Sequence, residues 1–330
     1  MPGADDPFGE HTRPQLRARV SVLGGDFAVT SSDAALLQLV IDAFGGLPRH
    51  RLNGSAPRFH MHLRLADHAE TWARRAAPPQ PVFSAGAGLL SATVDAANFA
   101  IMDVRSSSAL ISISRAMLRR SYYARYELIE LAFLTLASRA QELVPLHAAC
   151  VGVGDECVLL MGGSGTGKST LTLHAFAQGM QLLSEDSAFV SVDSLRVTGA
   201  PNFLYVNHNA RVWLPPGDLR RALEKSPIIR RRSGARKYQV AVSQLVGRIA
   251  RKPLRLAATV FLSPRAAGSR QTLRQLEPKK FLSRLRREQP YASRQPSWSR
   301  FEHRAIDLPA FELQRMHPDD AARQLRTLLE

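Results

Sequence analysis

Leu16, Ala18, Val20 and Val22 alternate with polar neighbours, and Gly24-Gly25-Asp26 turns the chain into Phe27-Ala-Val-Thr30. That pattern predicts strand, turn and strand. Ser31-Ser32-Asp33 offers a helix N-cap, after which Leu36, Leu37, Leu39, Val40, Ile41 and Phe44 form a broad apolar stripe closed by Gly45-Gly46. Phe59–Leu65 alternates as another strand; His60 and His62 share one face of it with no third ligand nearby, and read as exposed strand residues. Beyond a proline-bearing loop at 67–81, Val82–Ile113 breaks into short strands at Gly86, Gly88, Asp95 and Ser106-Ser107-Ser108. A strongly apolar helix runs from Ser121 to Glu142. These elements predict a β-rich α+β lobe over 15–143, preceded by a polar, disordered tail at 1–14.

From Val144 the apolar stretches lengthen. Two apolar strands flank Gly152-Val-Gly-Asp155, a hairpin signal, and the second of them, Cys157-Val-Leu-Leu, runs into Met161-Gly-Gly-Ser-Gly-Thr-Gly-Lys-Ser-Thr170. Thr170–Ala177 reads as a helix ended by Gly179. Met180–Asp186 is a short apolar strand finishing in two carboxylates, and Ala188–Val192 a further strand. Pro215-Pro-Gly-Asp218 is a turn before a short helix at Leu219–Leu223. Tyr238–Val242 and Leu254–Leu262 read as strands, Phe281–Arg287 as a helix, Arg304–Leu308 and Phe311–Gln314 as final strands, and His317–Leu329 as a capped terminal helix. The fold class is therefore α/β: the β-rich lobe, then a phosphate-loop domain over 144–330 whose sheet is mixed because the strand before the loop sits in a hairpin.

Gly162, Gly167, Lys168 and Ser169 fill the pattern G-x-x-x-x-G-K-[ST] between a strand and a helix. Glycines are needed there because the backbone must curl with its N–H groups facing phosphate oxygens. Gly162, Gly163, Ser164, Gly165, Thr166, Gly167, Lys168, Ser169 and Thr170 are thus the expected nucleotide-binding residues. Lys168 supplies a cation for the β- and γ-phosphates, Ser169 Oγ a magnesium ligand, and the helix N-terminus a favourable dipole. Glu185 and Asp186, at a strand end beside such a loop, suit holding Mg²⁺ and taking a proton from an attacking hydroxyl. The cofactors expected are ATP and Mg²⁺.

Leu146-His147-Ala148, the loop Gly162–Ser169 and Leu182-Leu-Ser-Glu-Asp186 together resemble the HPr kinase/phosphorylase superfamily, in particular its HPr-kinase-like bacterial serine kinases, which share a nucleotide-binding architecture with phosphoenolpyruvate carboxykinase. His147 precedes Lys168 by 21 residues and Asp186 follows it by 18, spacings similar to the family's. The resemblance implies a P-loop kinase with Asp186 as general base, His147 as an active-site histidine and Glu185 at a position usually held by Asp. It also implies a homo-oligomer. Thr170 departs from the acid of the bifunctional enzymes, and their glycine-rich signature has no match at Pro201–His208, which puts phosphorylase activity and HPr as substrate in doubt. The similarity is densest over 144–192.

Charge adds a second feature. The 330 residues carry a formal +16; residues 1–210 hold 17 Lys and Arg against 18 Asp and Glu, whereas 211–330 hold 27 against 10. Arg230-Arg-Arg-Ser-Gly-Ala-Arg-Lys237 reads as a glycine-hinged cationic loop able to screen phosphoryl charge, with Arg236 and Lys237, nearest the following strand, favoured over Arg230–Arg232. Arg284–Gln295 is basic, with Tyr291 inside it and Trp298 and Phe301 beyond, but lacks the aromatic spacing of a single-strand binder, so nucleic acid is not the expected partner. Cys150 and Cys157 are too few for a disulfide framework and read as core thiols. No run approaches a membrane span and no signal peptide opens the chain, so the expected location is cytoplasmic. The function expected is ATP-dependent phosphorylation of a Ser or Thr hydroxyl on a protein or peptide. A nucleotide-gated binding module for nucleic acid or an acidic partner, and a small-molecule kinase, are the other readings the residues allow.

Overall fold

The computed structural model describes residues 15–52, 54–67, 72, 77–214, 216–266 and 272–330. The tail at 1–14, most of the loop over 67–81 and Pro215 of the predicted turn lie wholly or partly outside them. By packing, the chain divides into one unit made of the residues up to Gly46 with Ala56–Ala140, and another made of Leu47–Ser55 with Gln141–Glu330.

In the first unit, strands β1 (Leu16–Val22), β2 (Gly25–Ser31), β3 (Arg58–Ala66), β4 (Val82–Gly86), β5 (Leu89–Thr93), β6 (Phe99–Asp103) and β7 (Ser108–Ser114) form a sheet in the order β1-β2-β3-β7-β6-β5-β4. β2, β3 and β7 run parallel and the remaining neighbours antiparallel. Helix α1 (Ala34–Phe44) starts at Asp33, whose carboxylate accepts from the amides of Ala35 and Leu36, and buries the predicted apolar stripe except Ile41. The predicted long helix is a series: α2 (Arg115–Leu118), α3 (Ser121–Tyr123), a π-helical segment at Ala124–Glu130, then α4 (Leu131–Ala140). Phe27 stacks on Phe59 at 4.4 Å and on Phe133 at 4.7 Å, and Phe133 on Phe44 at 5.0 Å, so one ring of α4 joins α1 to the sheet. Phe133→Ala should cost roughly 3–5 kcal/mol, read as a lower urea midpoint at unchanged slope.

The second unit is built on strands β8 (Val144–Leu146), β9 (Ala149–Val153), β10 (Glu156–Met161), β11 (Gln181–Ser184), β12 (Ala188–Val190) and β13 (Arg196–Thr198). A small separate sheet holds β14 (Phe203–Asn207), β15 (Ile228–Arg230) and β16 (Arg236–Ala241) in the order β14-β16-β15. Strands β17 (Arg248–Ile249), β18 (Leu254–Ala266), β19 (Leu273–Gln275) and β20 (Ala310–Arg315) complete the large sheet. Its helices are α5 (Lys168–Ala177), α6 (Asp218–Lys225), α7 (Pro278–Glu288), α8 (Trp298–Ala305) and α9 (Pro318–Thr327). β10 pairs antiparallel with β9 and parallel with β18, so the sheet is mixed.

Alternation along β9 and β10 feeds two cores. Val151, Val158 and Leu160 pack with α5, α9, β14 and β16, while Cys150, Cys157, Leu159 and Met161 pack on the other face with α7 and α8. Both cysteines are buried and free.

Two expectations change. Arg304–Leu308 is not a strand: Trp298, Phe301 and Ala305 are buried at helical spacing, and α8 runs through Ala305 before the chain turns. Trp298 and Phe301, which follow the basic stretch, are therefore core residues. The basic run at 230–237 is a hairpin, not a free loop, since Arg230 closes β15 and Arg236 and Lys237 open β16.

Leu47–Ser55 packs with the second unit because His50 is anchored there. Its Nε2 donates to Ala250 O at 2.8 Å, which leaves Nδ1 to accept from Thr198 Oγ1 at 2.8 Å. Burial holds the His50 pKa below its ordinary value. The unfolded chain therefore binds the proton more readily, and stability present above about pH 6.5 should fall as the pH drops towards the folded pKa. Urea titrations of wild type and His50→Gln between pH 5 and 8 should show this slope flattened in the variant. Among the described residues no helix is long and apolar enough to cross a membrane.

Candidate functional site

The loop between β10 and α5 has the backbone its glycines predict. Gly167 has φ +102° and Gly162 φ +144°, where side chains are strained, and a Cβ on Gly162 would lie 2.8 Å from Thr166 Oγ1. Thr166 Oγ1 donates to Gly163 O at 2.9 Å and pins the curl. At Gly163, Gly165 and Gly167 an added Cβ would meet no atom within 4 Å, so the loop leaves an open concavity at the start of α5. Ser164 is exposed, and Thr170 is half-buried in the first turn of the helix.

Lys168 opens α5 and is buried. Its Nζ donates to Gly162 O at 2.5 Å and lies 3.3 Å from His147 Nε2. An ammonium can only donate, so His147 accepts at Nε2 and carries its proton on Nδ1. Nδ1 lies 3.4 Å from Asp186 Oδ1. Lys168, His147 and Asp186 thus form one polar chain whose three members come from α5, the β8–β9 junction and the turn after β11. Partial desolvation, with Lys168 and Arg231 adding to it and Asp186 opposing, holds the His147 pKa below its ordinary value, which agrees with this neutral tautomer.

Glu185, next to Asp186, is buried and accepts a hydrogen bond from Ser169 Oγ. Its second oxygen, Oε2, is buried and has no hydrogen-bond partner among the described residues. Desolvation first, then the charge of Asp186, pushes its pKa up to about 7. A hydroxyl beside a carboxylate with an uncompensated oxygen fits a hard divalent cation, whose charge would stabilise the ionised form. The residues present therefore suit magnesium at Ser169 and Glu185.

The basic side chains come from the hairpin. Arg231 Nη1 lies 3.9 Å from Asp186 Oδ2, with its guanidinium over the Tyr205 ring at 4.8 Å. Lys237 is half-buried, and its pKa is lowered by desolvation while Glu185 and Asp186 act to raise it. Arg236 alternates to the opposite side of β16 and is exposed, and Glu185 feels Lys237 and Arg231 as its main cationic neighbours. The favoured pair is thus split: Lys237 is brought to the acids and Arg236 is not, while Arg231, ranked lower by its distance from the strand, is. The turn Arg231–Ala235 folds Arg231 back beside β16, with the Arg231 amide donating to Ala235 O at 2.9 Å, a consequence of hairpin closure that linear distance hides.

Gln289 carries no sequence signal, yet its side chain bonds both backbone groups of His147, at 2.8 and 3.1 Å. Two known-protein comparisons are negative: no family model matches the chain, and no curated protein matches it. Among solved structures the chain is similar to the Hpr(Ser) kinase/phosphatase from Coxiella burnetii, with 12% sequence identity and a TM-score of 0.31 over 56% of this chain and 87% of that one.

Proposed function

We propose that this chain is an ATP-dependent kinase that transfers the γ-phosphoryl group to a Ser or Thr hydroxyl of a protein or peptide, as the HPr-kinase-like serine kinases it resembles do. The observation that carries this reading is the Lys168–His147–Asp186 chain at the mouth of the phosphate loop, with Glu185 on Ser169 beside it. The loop amides and Lys168 would hold the triphosphate. Ser169 and Glu185 would hold magnesium, which when bound neutralises phosphate charge.

The Nδ1–H of His147 orients Asp186 without protonating it, so the carboxylate stays a proton acceptor. Asp186 takes the hydroxyl proton as the acceptor oxygen bonds to the γ-phosphorus, and the bond from that phosphorus to the β–γ bridging oxygen breaks to release ADP. Arg231 and Lys237 lie where they can screen the charge that spreads over the transferring group. The test is to incubate the protein with magnesium and γ-labelled ATP, alone and with size-fractionated host extract. Label in a discrete protein or peptide, stable as a phosphoserine or phosphothreonine is, supports the reading. Label in a metabolite would make it a small-molecule kinase. Free phosphate alone, with steeply salt-dependent binding to random DNA, would point instead to a nucleotide-gated binding module.

A further inference from the structure

We infer that Gln289 is a positioning residue that stands in for a missing strand partner at His147 and so fixes the imidazole between Lys168 and Asp186. The need for it comes from the fold. β8 ends at Leu146 and β9 begins at Ala149, so His147 falls in the gap between two paired segments. The tight turn is closed by the Ala148 amide, which donates to Leu146 O at 2.9 Å and leaves the N–H and C=O of His147 outside the ladder. An unpaired backbone amide in a packed site costs about as much as a lost hydrogen bond.

The Gln289 carboxamide meets both groups. Its Oε1 accepts from the His147 amide at 2.8 Å, and its Nε2 donates to His147 O at 3.1 Å, the two-bond pattern an adjacent strand would supply. The remaining Nε2 hydrogen faces Met161 Sδ at 3.8 Å, at the end of the strand that leads into the phosphate loop. Gln289 itself is immobilised: it is 3% exposed, its amide donates to Arg286 O at 3.3 Å as α7 ends, and its carbonyl accepts from the Ser293 amide at 2.9 Å. One side chain from the basic C-terminal region therefore ties the histidine to the end of β10.

Glutamine is required here for a chemical reason. A carboxylate could accept from the amide but not donate to the carbonyl, and an apolar chain of equal volume could do neither.

The kinetic part of this inference rests on the kinase reading; the structural part does not. The experiment compares wild type with Gln289→Met, which keeps the volume, and Gln289→Glu, which keeps only the acceptor, using ¹⁵N-histidine labelling with His147→Gln for assignment. Wild-type His147 should show the Nδ1–H tautomer, which free imidazole does not favour. In Gln289→Met that signature should shift towards the Nε2–H form, and kcat for phosphoryl transfer should fall roughly 10- to 100-fold while KM for ATP changes less than about 2-fold. Gln289→Glu should lie between the two, and it carries the test alone if Gln289→Met fails to fold. An unchanged His147 tautomer in a folded variant overturns the inference, whatever happens to turnover. A wild-type protein that shows the tautomer shift on mutation but transfers no label leaves the positioning role standing and removes the kinase reading.

Discussion

Asp186→Asn is expected to bind ATP as well as wild type and to lose roughly 10²- to 10⁴-fold in phosphoryl transfer, the range that removal of a general base commonly costs. The substitution is isosteric, and the amide oxygen can still accept from Nδ1–H of His147, so the polar chain to Lys168 keeps its geometry. What disappears is a group able to take a proton. Arg231, 3.9 Å from the second oxygen, loses that ion pair but keeps the Tyr205 ring beneath it, which limits rearrangement of the hairpin. Label transfer and nucleotide titration on the same preparation separate the possibilities. If affinity for ATP falls in step with transfer, Asp186 is a structural or metal-binding carboxylate and the assignment of the base is wrong.

Much of this site is legible in the chain before any coordinates. The loop is readable because its glycines answer to local backbone demands: positive φ at Gly167 and a Cβ collision at Gly162 are settled within six residues. The hairpin at Gly152–Asp155 and the cap at Asp33 are legible for the same reason. The failures have a common cause, which is that tertiary closure overrides sequence proximity. Arg231 reaches Asp186 through the turn of a hairpin that the run of arginines disguises as a loop. Gln289 meets His147 across 142 residues, and nothing in the composition around it differs from an ordinary basic helix end. Arg304–Leu308 alternates like a strand, but Trp298, Phe301 and Ala305 lie buried at helical spacing and decide the outcome. His50 is held in the second unit by two hydrogen bonds, to Thr198 and Ala250, that no local pattern announces.

Lys168→Met separates function from stability in the opposite sense to a core mutation. Lys168 is buried, and desolvation is the largest influence on its ammonium, holding its pKa below the ordinary value although Asp186 and Glu185 pull the other way. A lysine whose folded pKa is lowered is less protonated in the folded than in the unfolded chain, so its charge works against folding below the folded pKa; that deficit disappears as the pH rises to the unfolded value. Methionine of similar length removes the buried cation and its desolvation; Nε2 of the exposed His147 can turn to water, and only the buried Gly162 O gives up a donor. At pH 7 the variant should therefore unfold at the same temperature as wild type or a higher one. Its transfer rate should fall by about 10³-fold or more, because the cation set against the phosphates is gone. Unlike Asp186→Asn, it should also bind ATP more weakly, since the same charge contributes to the ground state. Calorimetry for the unfolding temperature, nucleotide titration for affinity and label transfer for turnover give three independent readings. A large drop in unfolding temperature would show that the ammonium's bonds to Gly162 and His147 outweigh its desolvation, making Lys168 a structural strut first and a phosphate ligand second.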